Sequence, residues 1–129
     1  MNKKDIYEVY IETFFSSAHR LEKYKGKCEK LHGHNWKVGV CVRSRKLNKE
    51  GMVIDFKLLK ETADRILHKI DHCYLNNIPY FKINQPTAEN ICKFLHNKIL
   101  KELSKINKYI HSLKIIVWET PIQYACYEK

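Results

Sequence analysis

At 129 residues the chain has room for one compact domain and not for two, and a hydrophobic fraction of 44% supplies a core and excludes a disordered chain. The 24 lysines and arginines outnumber 14 acids, leaving +10, which suits either an anionic partner or a lysine-rich solvated surface; no arginine-rich tract or stacking-aromatic motif marks a nucleic-acid module. No run reaches the roughly 20 apolar residues of a membrane helix, Met1 to Asp5 are polar and charged, and the five cysteines contain no Cys-x-x-Cys pair, so a reduced, cytoplasmic protein is expected.

Tyr7, Val9, Ile11, Thr13 and Phe15 alternate with Glu8, Tyr10 and Glu12, predicting a strand with an apolar odd face. Trp36, Val38, Val40 and Val42 predict a second strand with an apolar even face, and Asn48 to Gly51 supply turn residues. Asp55 can cap a helix beginning near Phe56, whose Leu59, Ala63, Ile66 and Ile70 recur at helical steps. Asn76 to Pro86 reads as a loop. Thr87 can cap a second helix, with Ile91, Phe94, Leu95, Ile99, Leu103 and Ile106 on one face. Leu113 to Thr120 and Ile122 to Tyr127 are two more strands, joined around Pro121. The order β-β-α-α-β-β predicts an α+β fold, a four-stranded antiparallel sheet with two helices on one face. Cys41 and Cys92 lie inside periodic segments and read as packing residues.

Three histidines form a pattern within this frame. His32 and His34 share one face at the start of the second strand, and Gly33 between them permits close backbone approach. His19 lies just past the apolar face of the first strand. If the two strands pair antiparallel, all three imidazoles converge at one rim. Three neutral imidazoles suit Zn²⁺, and three protein ligands with one open position mark a catalytic site. His68, His96 and His111 read as ordinary packed or solvated residues. Cys28 is open to two readings: a fourth ligand closing a structural site, or a thiolate base beside an open metal, its pKa lowered by Lys25 and Lys27. Asp71-His72, where the first helix should stop, is either a tautomer-fixing pair or a solvated helix end. Glu119 continues the odd face of Leu113, Ile115 and Val117; if that face is the covered one, it needs a partner: a ligand with adjacent N–H donors, or a cross-strand lysine.

Phe15-Ser16-Ser17-Ala18-His19-Arg20, Gly26-Lys27-Cys28, Leu31-His32-Gly33-His34, Ile54-Asp55-Phe56, Asp71-His72, Pro86-Thr87-Ala88-Glu89-Asn90 and Glu119-Thr120 together resemble the 6-pyruvoyl-tetrahydropterin synthase/6-carboxy-tetrahydropterin synthase family, in the family's order and over nearly the whole chain. The Cys28-x-x-x-His32-Gly33-His34 spacing and the loop Tyr74 to Pro79 resemble its bacterial 6-carboxy branch. The resemblance implies the tunnelling fold and a homo-oligomer, usually a hexamer of two stacked trimeric rings with pterin pockets at subunit boundaries. It implies a queuosine-pathway enzyme that turns 7,8-dihydroneopterin triphosphate into 6-carboxy-5,6,7,8-tetrahydropterin, releasing acetaldehyde and triphosphate.

The same resemblance assigns roles. His19, His32 and His34 match the zinc ligands, Cys28 the catalytic thiol, and Asp71 with His72 a second proton-transfer pair. Glu119 matches a pterin anchor, and Thr87, Ala88 and Glu89 sit where the family contacts the pterin; Ala88 replaces a threonine found in some members, so only backbone contact carries over there. Lys27 beside the thiol is expected to face the substrate. Two rivals remain: a 6-pyruvoyl enzyme that eliminates triphosphate without cleaving the side chain, and a non-catalytic zinc module with Cys28 as fourth ligand that binds RNA through the +10 charge. Four strands leave two open edges, and the last strand has no proline or lysine to blunt one, so pairing between copies is expected.

Overall fold

The computed structural model describes residues 4–22 and 30–129. The elements run β1 (Tyr7–His19), β2 (His32–Ser44), α1 (Phe56–His68), β3 (Cys73–Tyr74), α2 (Pro79–Ile83), α3 (Ala88–Ile106), β4 (Ile110–Thr120) and β5 (Gln123–Glu128). All strands join one sheet in the order β3-β1-β2-β4-β5. Every pairing is antiparallel except that of β3, which runs parallel to β1.

Alternation decides which face is covered. Thr13, Phe15, Ser17 and His19 of β1, Trp36, Val38, Val40 and Val42 of β2, and Leu113, Ile115 and Val117 of β4 are all buried on the same side. The register lines them up, with Thr13 across from Val38 and Val38 across from Val117. Helix α1 packs on β1, and α3 packs on β4, β5 and α1. Both helices start where the sequence places their caps: Asp55 accepts a hydrogen bond from the Leu58 amide, and the Thr87 hydroxyl accepts one from Asn90. Their apolar stripes, Leu59, Ala63, Ile66 and Leu67 of α1 and Ile91, Leu95, Ile99 and Leu103 of α3, complete the core.

Two buried side chains of α3 also bond the sheet. His96 donates from Nε2 to the Leu113 carbonyl at 3.0 Å, and its ring stands edge-on to Tyr127. The Cys92 thiol donates to the Ala125 carbonyl. Burial pushes Cys92 up to about 12 and Cys41 up to about 11, so both stay protonated and unreactive near neutral pH. On the opposite sheet face Tyr10 lies across Gly39, where a Cβ would come within 2.6 Å of the Tyr10 hydroxyl.

The structure corrects three expectations. The sheet has five strands, because Cys73–Tyr74 joins β1 at Ser17 and Ala18. The stretch from Asn76 to Pro86 is not all loop: Leu75–Asn77 is a 3₁₀ turn, and α2 starts on Pro79, whose missing N–H costs nothing in a first turn. Helix α1 ends at His68, so Ile70 is buried from beyond the helix rather than on its stripe.

Leu95 is fully buried between α3 and the sheet. Leu95→Ala should lower unfolding stability by about 2–5 kcal/mol. Urea denaturation checks this through a shifted midpoint at unchanged slope.

Candidate metal centre and active site

The antiparallel pairing places His19 directly across from His32 and Ser17 across from His34. His19, His32 and His34 all turn to the helix-covered face, at the end of the sheet where β4 also finishes. One step beyond the Lys37–Trp118 pair of β2 and β4, Glu119 arrives at the same place. Ligand atoms from His19, His32, His34 and Glu119 lie within 4.8 Å of one another. The indole of Trp36 supports the group from within, 5.0 Å from the His19 ring and 4.9 Å from the His34 ring.

The hydrogen bonds behind the rings settle which nitrogens face inward. His19 donates from Nδ1 to the Pro86 carbonyl at 2.7 Å, and His32 donates from Nδ1 to the Lys30 carbonyl at 2.6 Å. In the neutral rings this leaves both Nε2 atoms as bare lone pairs, and they stand 2.8 Å apart. Nε2 of His34 is buried without a hydrogen-bond partner, although Glu119 Oε1 lies 3.1 Å away. Burial is the largest influence on His19 and His34 and holds both below the ordinary imidazole range, which keeps them neutral. Lone pairs that converge at such distances repel unless a cation sits among them. The donor set, three imidazoles and a carboxylate, fits Zn²⁺.

The second candidate pair is docked on β1. The Ser16 amide donates to Asp71 Oδ1 at 2.8 Å, and the His72 amide donates back to the Ser16 carbonyl. The Ser16 N–H is the main reason the Asp71 carboxyl lies below its usual range, with His72 adding to it. Asp71 Oδ2 is 3.0 Å from His72 Nδ1, so the carboxylate can set the tautomer of that ring. His72 adopts φ of 55°, a left-handed conformation uncommon outside glycine. The side chain is 81% exposed. It lines one shallow depression with Ser16, Gly33, His34 and Asn35.

The start of α3 is tied to the cluster through the Pro86–His19 bond. Thr87 follows immediately and uses its hydroxyl as the helix cap, Ala88 is buried, and Glu89 is exposed in the first turn. Cys28 and Lys27 lie outside the described residues. Among the described residues nothing lies within 4 Å of where a Cβ on Gly33 would be. Among the described residues no lysine pairs with Glu119. Lys37 pairs with Glu12 and covers Trp118. The carbonyls of Pro86 and Lys30 and the indole of Trp36 went unread in the sequence. Only Trp36 had a signal, as the next inward residue of the period-two pattern after His34.

This arrangement agrees with the similarities of the chain. The sequence profile described as 6-pyruvoyl tetrahydropterin synthase matches residues 8–129. The chain belongs to the 6-pyruvoyl tetrahydropterin synthase family. Among its relatives, the 6-carboxy-5,6,7,8-tetrahydropterin synthase of Rickettsia conorii is 36% identical over 126 aligned positions, covering 83% of this chain and 89% of that protein. The putative 6-carboxy-5,6,7,8-tetrahydropterin synthase of Archaeoglobus fulgidus is 41% identical over 92 positions, covering 71% and 75%. The solved structure of Caenorhabditis elegans 6-pyruvoyl tetrahydropterin synthase superposes with a TM-score of 0.84 at 28% identity, covering 100% of this chain and 99% of that one. The fold is therefore the tunnelling fold, with β3 and α2 added to the expected outline.

Adding Zn²⁺ at 100 times its Kd should stabilise the folded chain by about 2.7 kcal/mol. His34→Ala should lose most of that increment at the same metal concentration. Thermal melts with and without zinc check both, and equal melting temperatures in the wild type would show that no metal is held.

Proposed function

We propose that the chain is a 6-carboxy-5,6,7,8-tetrahydropterin synthase of queuosine biosynthesis. It converts 7,8-dihydroneopterin triphosphate to 6-carboxy-5,6,7,8-tetrahydropterin, releasing acetaldehyde and triphosphate. The observation that carries this reading is the inward convergence of His19, His32 and His34 Nε2 in a chain of this family. The relatives named 6-carboxy-5,6,7,8-tetrahydropterin synthase support this branch over the 6-pyruvoyl one.

His19, His32 and His34 would hold Zn²⁺. When bound, the ion supplies a Lewis acid that polarises the hydroxyl oxygens of the substrate side chain. Proton transfer falls to the chain itself. Cys28 is assigned as the base at the side chain. His72 is assigned as the second proton carrier, oriented through Nδ1 by Asp71, whose other oxygen is held by Ser16. Glu119 is assigned to the ring, as an acceptor for adjacent N–H donors. Thr87, Ala88 and Glu89 lie close enough to the cluster, through Pro86, to flank the ring. Lys27 and the surplus of basic residues suit the triphosphate.

We propose also that the working form is a homo-oligomer, a hexamer of two trimeric rings, in the cytoplasm. Among the described residues β5 has no partner on its outer side, and β1 has one there only at Ser17 and Ala18. Such edges invite pairing. The exposed His72 imidazole suits a pocket completed by another subunit. No helix among the described residues is long and apolar enough to cross a membrane.

Incubation with dihydroneopterin triphosphate should yield 6-carboxytetrahydropterin and stoichiometric acetaldehyde, followed by mass spectrometry. Triphosphate release without acetaldehyde would reassign the chain to the 6-pyruvoyl reaction. Cys28→Ala should keep zinc and lose about 10²–10⁴-fold in kcat; loss of zinc instead would make Cys28 a ligand. Light scattering across a dilution series should show activity falling as the assembly dissociates. A fully active 15.5 kDa monomer would overturn the shared-site reading.

A further inference from the structure

Glu119 stands in a position that a ring anchor alone does not require. Its Oε1 is 3.3 Å from His19 Nε2, 3.1 Å from His34 Nε2 and 3.9 Å from His32 Nε2. Ligand atoms at the corners of a tetrahedron with bonds of about 2.0–2.1 Å lie roughly 3.3–3.4 Å apart. The carboxylate oxygen therefore stands near the spacing of a fourth corner from His19 and His34, and farther out from His32. Hydrogen bonding does not explain the approach to His19 and His32, because their ring protons are committed to the Pro86 and Lys30 carbonyls. Among the described residues, the ion-pair partners of Glu119 are these three histidines. The bare nitrogens of His19 and His32 and the Glu119 oxygen are all electron-pair donors, and a cation among them offsets their repulsion.

We infer that Glu119 is the fourth protein ligand of the resting metal site, and that an incoming pterin ring draws it off. This rests on the proposed substrate for its second half only. Four protein ligands close a tetrahedral site, whereas a catalytic one keeps a position open. Glu119 must then leave before the side chain of a substrate can reach the metal. The edge of the pterin ring offers adjacent N–H donors that replace the lost bond with a bidentate one. Ring recognition and opening of the site become one event, made by one carboxylate with two exclusive partners. Linkage makes the effect reciprocal: ring binding weakens the hold on the metal by the factor by which the metal weakens ring binding.

Cobalt-loaded protein tests this without turnover. Visible absorption and chelator competition are measured for the wild type and Glu119→Gln, each with and without unsubstituted pterin. Glu119→Gln should weaken Co²⁺ binding by about 10–100-fold, in the range for disturbed metal sites, and alter the cobalt spectrum. Saturating pterin should shift the wild-type spectrum and weaken its cobalt binding by about 5–150-fold, and leave the variant unmoved. Identical spectra and affinities in wild type and variant would overturn the inference. Pterin bound to the wild type, seen by its fluorescence, with no cobalt shift would overturn the switch. If Glu119→Gln fails to fold, Glu119→Asp takes its place, its shorter carboxylate expected to weaken cobalt binding. Failure of pterin to bind at all would strike the proposed substrate and the switch, while the wild-type and variant comparison still decides the ligand. Conversely, normal product formation with identical cobalt spectra would strike the ligand and leave the function standing.

Discussion

His19 faces His32 across the β1–β2 ladder, and that register is the constraint on which the site depends. Side chains alternate with period two, so a slip of one residue would send His19 to the opposite sheet face. The same slip would turn Thr13, Phe15 and Ser17 out of the core. Packing of the whole sheet therefore enforces the position of one imidazole. The β2–β4 ladder does the same for Glu119, since Val38 across from Val117 fixes where β4 ends. Two long-range registers, each held by side chains buried on the covered face, deliver four donor atoms to one point.

The support continues beneath the rings. Trp36 is completely buried, stacks on Phe15 and donates from its indole N–H to the Ser17 carbonyl. A rigid indole under His19 and His34 limits the tilt of both. Behind His19 lies the Pro86 carbonyl, one residue before the cap of α3. A peptide group at the start of the longest helix thus orients a candidate ligand, and that helix is anchored along its length in the core.

Much of this was legible because the responsible signals are local. One covered face makes strands alternate, and Asp55 and Thr87 announce helix starts by their chemistry. The histidines were legible because a tight antiparallel pair converts sequence spacing into proximity. What escaped was set by tertiary contact. β3 is two residues long, too short for any period, and exists because Ser17 and Ala18 offer it an edge. Helix α2 has five residues, and its Pro79 reads equally as a turn. Glu119 was legible as a continuation of the odd face of its strand, yet its entry into the histidine group depends on the β2–β4 register, which joins segments some 80 positions apart. The residues that fix the ring tautomers act through backbone carbonyls, and a carbonyl leaves no mark in a sequence.

His96 sits at the far side of the core from solvent, with its Nε2 proton committed to the Leu113 carbonyl and its face closed by Tyr127. That proton can trade with water only when α3 lifts from β4. Imidazole protons so shielded give resolved signals in nuclear magnetic resonance, and their rate of deuterium uptake counts sub-global openings one by one. The molecule thus carries an internal clock for the parting of its helical layer from its sheet, on a residue outside the His19–His32–His34–Glu119 group.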